Sequence, residues 1–276
     1  MMFAIYFIDI SNNLKYDYQF LGWIDENNNS FDFNNPITKS MDLYPNFIKT
    51  PQKVELSGLK LSILGDSIST FYDSNSMMNS YYSGENQFYY PLYSQTVKTA
   101  TNTWWGKLIT KADFTLGINN SWSGSMCYNW GNSQNSGAMN EHRINTLGEN
   151  GTPDIIIVMI GTNDNVNGIS NENFTSAYTT MITRILKKYP KSIIFCATMG
   201  YANYNQYSFT NTRRLEYNEI IKNVCEKYDL CLIPIDIYQT EFTYQDILGD
   251  ALHPNLYGME IYANAIYDSI YSFLSN

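Results

Sequence analysis

Residues 154–160 read Asp-Ile-Ile-Ile-Val-Met-Ile, an apolar run with no polar residue after its aspartate. A strand with one wet face alternates apolar and polar positions, whereas a run apolar at every position suits a strand covered on both faces of a parallel sheet. Similar runs recur at Leu59–Gly65 (LKLSILG), Ser192–Ala197 (SIIFCA) and Leu230–Ile235 (LCLIPI), with a weaker one at Phe114–Ile118. Helical stretches separate them. Residues 103–112 place Trp104, Trp105 and Leu108 at i, i+1 and i+4. Residues 173–189 carry apolar side chains at Phe174, Ala177, Tyr178, Met181, Ile182, Ile185 and Leu186, then Lys187 and Lys188 before Pro190, a favourable helix end. Further helices are expected over Arg213–Tyr228 and Tyr257–Leu274. Strands alternating with helices imply an α/β fold: a doubly wound, mostly parallel five-stranded sheet with helices on both faces.

The first 57 residues read differently. Tyr16–Trp23 and Ser30–Phe33 flank an Asp25-Glu26-Asn27-Asn28-Asn29 turn, which suggests a β-hairpin, and a less regular stretch runs on through Pro36, Pro45 and Pro51. A length of 276 residues accommodates one large domain with an extension. We therefore expect a small β-rich extension over 1–57 and a main domain over 58–276. Residues 72–102 are polar and Tyr-rich without a clear period, and loops that long are commonly functional.

Composition narrows the function. Hydrophobic residues at 44% and charged residues at 16% are those of a chain with a real core. A net charge of −9 lacks the cationic footprint that neutralises phosphates, so nucleic acid is a poor partner. No apolar run approaches the roughly 18 residues that span a bilayer. Met1–Ile8 is apolar but short, has no preceding Lys or Arg, and is interrupted by Asp9, which is not the pattern of a signal peptide. The compartment stays open between the cytoplasm and a larger or processed secreted protein, and so does the oligomeric state. Cys127, Cys196, Cys225 and Cys231 form no C-x-x-C pair and lie among apolar residues, as buried thiols do. His142 and His253 are the two histidines, so a His-rich zinc site is nearly excluded and a catalytic imidazole must be one of them.

Ligands of open α/β sheets bind beyond the carboxyl ends of the strands. After the first strand come Gly65-Asp66-Ser67, where Ser67 stands near a helix start. After the second comes Asn119-Asn120-Ser121-Trp122-Ser123-Gly124-Ser125, in which a glycine lets backbone approach a ligand. Gly161-Thr162-Asn163-Asp164 follows the third, and its Asn side chain can reach toward whatever sits over Ser67. After the last strand, Asp250-Ala251-Leu252-His253-Pro254-Asn255 places a carboxylate and an imidazole three residues apart, so that the acid can fix the imidazole's tautomer. Each block alone also reads as ordinary structure: an N-cap serine, a glycine loop, an Asx turn, a packed histidine.

Together, in this order, the blocks GDS, SWSG, GTND and DALHPN resemble those of the SGNH, or GDSL-like, esterases and acylhydrolases, over roughly residues 59–274. The resemblance implies a flavodoxin-like hydrolase fold with Ser67 as nucleophile, His253 as general base and Asp250 as its orienting acid. It implies an oxyanion hole built from the Ser67 and Gly124 backbone N–H groups and the Asn163 side chain, with Gly117 the alternative glycine. Trp122 and Asp164 are expected at the substrate, Trp122 and Trp130 as rings that a sugar could stack on. No metal or organic cofactor is implied.

The serine-hydrolase motif G-x-S-x-G and the phosphate loop G-x-x-x-x-G-K-[ST] are both absent. A carboxylate-pair glycosidase would leave Ser67 and His253 without a purpose, and a sugar-binding module needs no base with an orienting acid. The Tyr, Ser and Asn of residues 72–102 suit a sugar better than a long acyl chain. The expected activity is hydrolysis of short-chain, acetyl-type esters on a small molecule or glycan. A binding module or a longer-chain lipase is the alternative.

Overall fold

The computed structural model describes residues 16–36, 40–51, 54–84, 86–128, 137–200, 202, 211–235 and 250–275. Two sheets organise them. The larger has five parallel strands, β4 (Lys60–Gly65), β5 (Thr115–Ser121), β6 (Ile155–Met159), β7 (Ile193–Ala197) and β8 (Cys231–Ile233), in the order β5-β4-β6-β7-β8. Each expected strand is present, trimmed or extended by a few residues. The chain enters at β4, steps to β5 on one side, then crosses to β6 on the other. That reversal opens a crevice at the carboxyl end of β4, where open α/β sheets bind ligands.

The unbroken apolar run has the expected cause. Ile155, Ile157 and Met159 of β6 join one core, while Ile156 and Val158 join a second on the opposite face. The first core is closed by α1 (Trp104–Ala112) and α6 (Leu256–Ser275), through Trp104, Trp105, Leu108, Met259, Tyr262 and Ile266. The second is closed by α2 (Glu141–Thr146), α4 (Asn171–Lys188) and α5 (Asn211–Lys227). Thr103 caps α1 by accepting from the Gly106 N–H at 3.0 Å, and Ser170 caps α4 by accepting from Asn173 at 3.2 Å. The α4 residues facing the core are those its spacing marks, except that Leu186 is only partly covered. A short helix, α3 (Thr162–Val166), follows β6, where the sequence reads as an Asx turn.

The smaller sheet is antiparallel, with β1 (Tyr16–Ile24) between β2 (Ser30–Phe31) and β3 (Tyr44–Pro51). β1 and β2 form the expected hairpin. β3 corrects the reading of residues 36–51 as irregular: all of β1 except Leu21 pairs with it, the register shifting by one residue at Leu21. Its prolines obscure the strand pattern, yet β3 is an edge strand, where a missing N–H is tolerated. No described residue of this sheet joins the two large cores.

Residues 72–102 contain no strand among those described, only a single 3₁₀ turn at Ala100–Asn102. Backbone hydrogen bonds tie the segment down nonetheless. The Tyr72 N–H donates to the Tyr90 carbonyl, Tyr81 to Asn119, and Ser123 to Gln87. Cys127, Cys196 and Cys225 are buried thiols and Cys231 is half-buried.

Candidate active site

The turn after β4 is shaped by what cannot fit there. A Cβ on Gly65 would lie 2.8 Å from the Ser121 Oγ and 3.0 Å from the Ser69 Cβ, so β4 and β5 close together only with glycine at this position. Asp66 then caps a single 3₁₀ turn, Ser67–Ser69, its Oδ1 accepting from the Ile68 N–H at 3.0 Å. The Thr70 N–H and Oγ1 both donate to the Ser67 carbonyl, at 3.2 and 2.8 Å. Ser67 is thus held by its own backbone and is 7% exposed.

His253 reaches this serine from the loop before α6. Its Nε2 lies 2.8 Å from the Ser67 Oγ, and its Nδ1 lies 2.9 Å from the Asp250 Oδ2. The other carboxylate oxygen, Oδ1, accepts from the N–H groups of Leu252 at 3.1 Å and His253 at 2.6 Å. Hydroxyl, imidazole and carboxylate therefore form one hydrogen-bonded line. Burial by itself would raise the Asp250 carboxyl, but the hydrogen bonds and charge of His253, with a hydroxyl bond from Tyr89, hold it well below the usual carboxylate range. The second histidine, His142, lies elsewhere, with its ring edge-on to Trp122 at 6.1 Å.

Loops from the two strands beside β4 flank the serine. After β5, the Ser125 N–H donates to the Trp122 carbonyl at 3.1 Å and closes a turn in which Gly124 takes φ +75°. A side chain is strained at that angle, so glycine supplies the conformation. The Gly124 N–H has no hydrogen-bond partner among the described residues, and the residue is exposed. Gly117 lies instead inside β5, packed against the Ser62 side chain, away from the strand's carboxyl end. After β6, Asn163 donates one amide proton to the Ser125 carbonyl at 2.9 Å, which leaves its second donor for another partner.

Trp122 and Asp164 do not sit where a substrate would meet them. Trp122 is 5% exposed; its Nε1 donates to Asn120 Oδ1 at 2.7 Å and the Arg143 guanidinium lies 4.7 Å from its ring. Asp164 is fully buried, accepting from the N–H groups of Cys127 at 2.7 Å and Tyr128 at 2.8 Å. Both side chains face the interior and brace the glycine loop. Trp130 lies outside the described residues.

Two further residues escape a sequence reading. Arg143, fully buried on α2, donates to Asn120 Oδ1 at 3.0 Å, the Asn120 carbonyl at 2.8 Å, Ser125 Oγ at 2.9 Å and the Gly65 carbonyl at 3.3 Å. One guanidinium fork thus joins the ends of β4 and β5 to the glycine loop. Tyr89 stacks on His253 with ring centroids 3.5 Å apart and planes 9° from parallel, and donates to Asp250 Oδ2 at 2.8 Å. Nothing local in the sequence marks either residue. Their tightest ties run to positions distant along the chain.

Burial dominates the electrostatics beneath the site. It pushes the carboxyls of Asp66 and Asp164 up to about 7 and the Arg143 guanidinium down to about 9, with the Asp66–Arg143 attraction opposing both shifts in that pair. Among the described residues no group of three or more His, Cys, Asp or Glu is placed to hold a metal ion. None of their helices is long and apolar enough to cross a membrane.

A hydroxyl, an imidazole and a carboxylate aligned at the carboxyl end of a doubly wound sheet define a serine-hydrolase arrangement. Residues 59–270 match the family model of GDSL-like lipases and acylhydrolases, so the chain belongs to that family and is a serine-type ester hydrolase. Among solved structures it is similar to a GDSL-like lipase from Bacteroides ovatus, with 25% identity, a TM-score of 0.57, and coverage of 78% of this chain and 99% of that one. It also shares its fold with the esterase EstA from Pseudoalteromonas, solved with monoethylphosphonate as inhibitor (19% identity, TM-score 0.54, 79% and 99% covered). The acetylxylan esterase Axe2 from Geobacillus stearothermophilus is a third such structure (18% identity, TM-score 0.53, 78% and 94% covered). Curated proteins contain no match.

Proposed function

We propose that the enzyme hydrolyses short-chain esters, of the acetyl type, carried on a carbohydrate, with Ser67 as nucleophile, His253 as general base and Asp250 as its orienting acid. The observation that carries this reading is the bridging position of His253, within 2.9 Å of both Ser67 Oγ and Asp250 Oδ2. A serine hydroxyl is a weak nucleophile until a base takes its proton. His253 Nε2 accepts that proton as Oγ attacks the ester carbonyl, and Asp250 stabilises the imidazolium that results. The carbonyl oxygen becomes an anion, for which the Ser67 N–H, the Gly124 N–H and the second Asn163 amide proton are the donors. His253 then protonates the leaving alcohol. Water, deprotonated by the same imidazole, attacks the acyl carbon, and the imidazolium returns that proton to Ser67 Oγ as the acid leaves.

The acyl and alcohol assignments rest on the surface around this line. Tyr93 is 65% exposed and its ring lies 5.6 Å from Tyr89, which itself covers His253. Tyr72, Tyr82 and Phe88 of the same segment form a ring cluster with Tyr72–Phe88 centroids 4.9 Å apart, and Tyr82 is 58% exposed. Flat faces of this kind suit sugar rings. The acetylxylan esterase that shares the fold acts on an ester of the proposed kind.

The test is turnover of p-nitrophenyl acetate together with labelling by a fluorophosphonate. Both should occur in the wild type and both should vanish in Ser67→Ala with its melting profile unchanged. Undiminished turnover in Ser67→Ala would overturn the nucleophile. Faster cleavage of long-chain than of acetyl esters would overturn the acyl assignment in favour of a lipase. Sugar binding without turnover or labelling would point to a binding module.

A further inference from the structure

We propose that Tyr89 is a positioning residue that holds the base, the acid and the nucleophile of this site in register. The inference rests on the reading of Ser67, His253 and Asp250 given above. Three contacts made by Tyr89 carry it.

Asp250 offers about four lone-pair sites. Oδ1 takes the Leu252 and His253 N–H groups, and Oδ2 faces the imidazole Nδ1 and also takes the Tyr89 hydroxyl at 2.8 Å. The carboxylate is therefore fixed in rotation by donors on both oxygens. The phenol ring lies flat against the imidazole at 3.5 Å, so His253 cannot tip about its Cβ–Cγ bond without striking it. The third link is through the backbone. The Tyr89 N–H donates to Thr70 Oγ1 at 2.8 Å, and that hydroxyl donates to the Ser67 carbonyl at 2.8 Å. One residue thus touches the acid with its hydroxyl and the base with its ring, and reaches the nucleophile's peptide through a single threonine. The neighbouring Tyr90 anchors the same stretch, donating to the Pro254 carbonyl at 2.7 Å beside His253.

The ionisable groups around the pair are Ser67 and Asp66 from the turn after β4, Tyr89, Tyr90 and Tyr93 from the 72–102 segment, and Asp250 itself. Tyr89 shares Oδ2 with the imidazole. Removing its hydroxyl concentrates that oxygen's charge on the Nδ1 proton and tightens its hold on the imidazolium. Removing the ring as well frees the imidazole to tip.

The experiment compares wild type, Tyr89→Phe, Tyr89→Leu and Ser67→Ala. It measures kcat and KM for p-nitrophenyl acetate from pH 5 to 9, the rate of fluorophosphonate labelling at Ser67, and the melting profile. Tyr89→Phe keeps the stack but no longer fixes Asp250 Oδ2, so the acid and base are less well aimed at Ser67 and kcat should fall about tenfold. Its KM should stay within about twofold, and the acidic limb of kcat/KM should move to higher pH. Tyr89→Leu should lose about a hundredfold in kcat, the low end of what a misplaced general base costs. Labelling rates should follow the same order. The proposal fails if both variants keep wild-type kcat, if the loss lies in KM alone, or if the acidic limb of Tyr89→Phe stays in place. Should Tyr89→Leu melt early, Tyr89→Phe decides. Activity surviving in Ser67→Ala would sink the underlying reading instead, whereas an inactive Ser67→Ala beside unaffected Tyr89 variants would sink the role of Tyr89 alone.

Discussion

Asn163 donates to the Ser125 carbonyl at 2.9 Å and so ties the turn after β6 to the loop after β5, across the end of β4, the strand that leads into Ser67. The bond spends one amide proton on aiming the other. Asn163→Ala should therefore lower kcat by about 10²–10³, the usual cost of one oxyanion donor, with little change in KM. Steady-state kinetics on p-nitrophenyl acetate check this. A loss below about threefold would remove Asn163 from the oxyanion site.

Asp250 faces the Nδ1 side of His253 at 2.9 Å. In Asp250→Asn, an amide turned toward Nδ1 favours the tautomer whose proton sits on Nε2, and that nitrogen can no longer accept from Ser67. A fall in kcat of about 10³-fold or more is expected. Asp250→Ala, which removes the orienting group without imposing a tautomer, should lose no more than Asp250→Asn does. Kinetics of both variants, with circular dichroism to confirm folding, decide the point.

Stability should decline from mild acid toward alkaline pH. Burial raises the Asp66 and Asp164 carboxyls to about 7, against about 3.9 for an unfolded aspartate. Between those values the folded chain binds more protons than the unfolded one. Their favourable contribution is complete below about pH 4 and is lost as pH rises through about 7. Asp250, held below the ordinary range, acts in the opposite sense, and its contribution is lost only as pH falls below about 4. Urea midpoints at pH 5, 6.5 and 8 should fall in that order. Asp66→Asn, which keeps an oxygen for the Ile68 N–H, should flatten the slope.

Arg143 binds two backbone carbonyls and two side chains in the interior. Arg143→Met fills similar volume but strands these acceptors, and should cost about 3 kcal/mol or more of unfolding free energy. Arg143→Lys keeps a charge but not the fork, and should fall between the two. Urea unfolding of the three proteins gives the comparison, with a cost for Arg143→Met under about 1 kcal/mol counting against this account.

The reach of the sequence differed between parts of the molecule. The five parallel strands and the four long helices are legible because burial on two faces, or on one stripe, writes a local pattern. β3 was not, because Pro45 and Pro51 belong to a strand only when it lies at a sheet edge. α2 and α3, six and five residues long, are too short to show a helical period. Trp122 and Asp164 stand in the right blocks, yet the side chains of both turn inward to brace the loop. Residue type and block position do not say which way a side chain points.

By itself, the sequence determined the layered α/β plan and the four strand-end blocks in which a serine, a glycine, an asparagine and an Asp–His pair recur. The plan follows from periodicity, which acts over a few residues, and the blocks are picked out by their resemblance to those of the family. Tertiary structure alone decided that Ser67 and His253 meet across 186 positions, that Tyr89 reaches Asp250 across 161, and that Arg143 joins the loops beneath them. Contacts of that range depend on how whole elements pack. No window along the chain contains them.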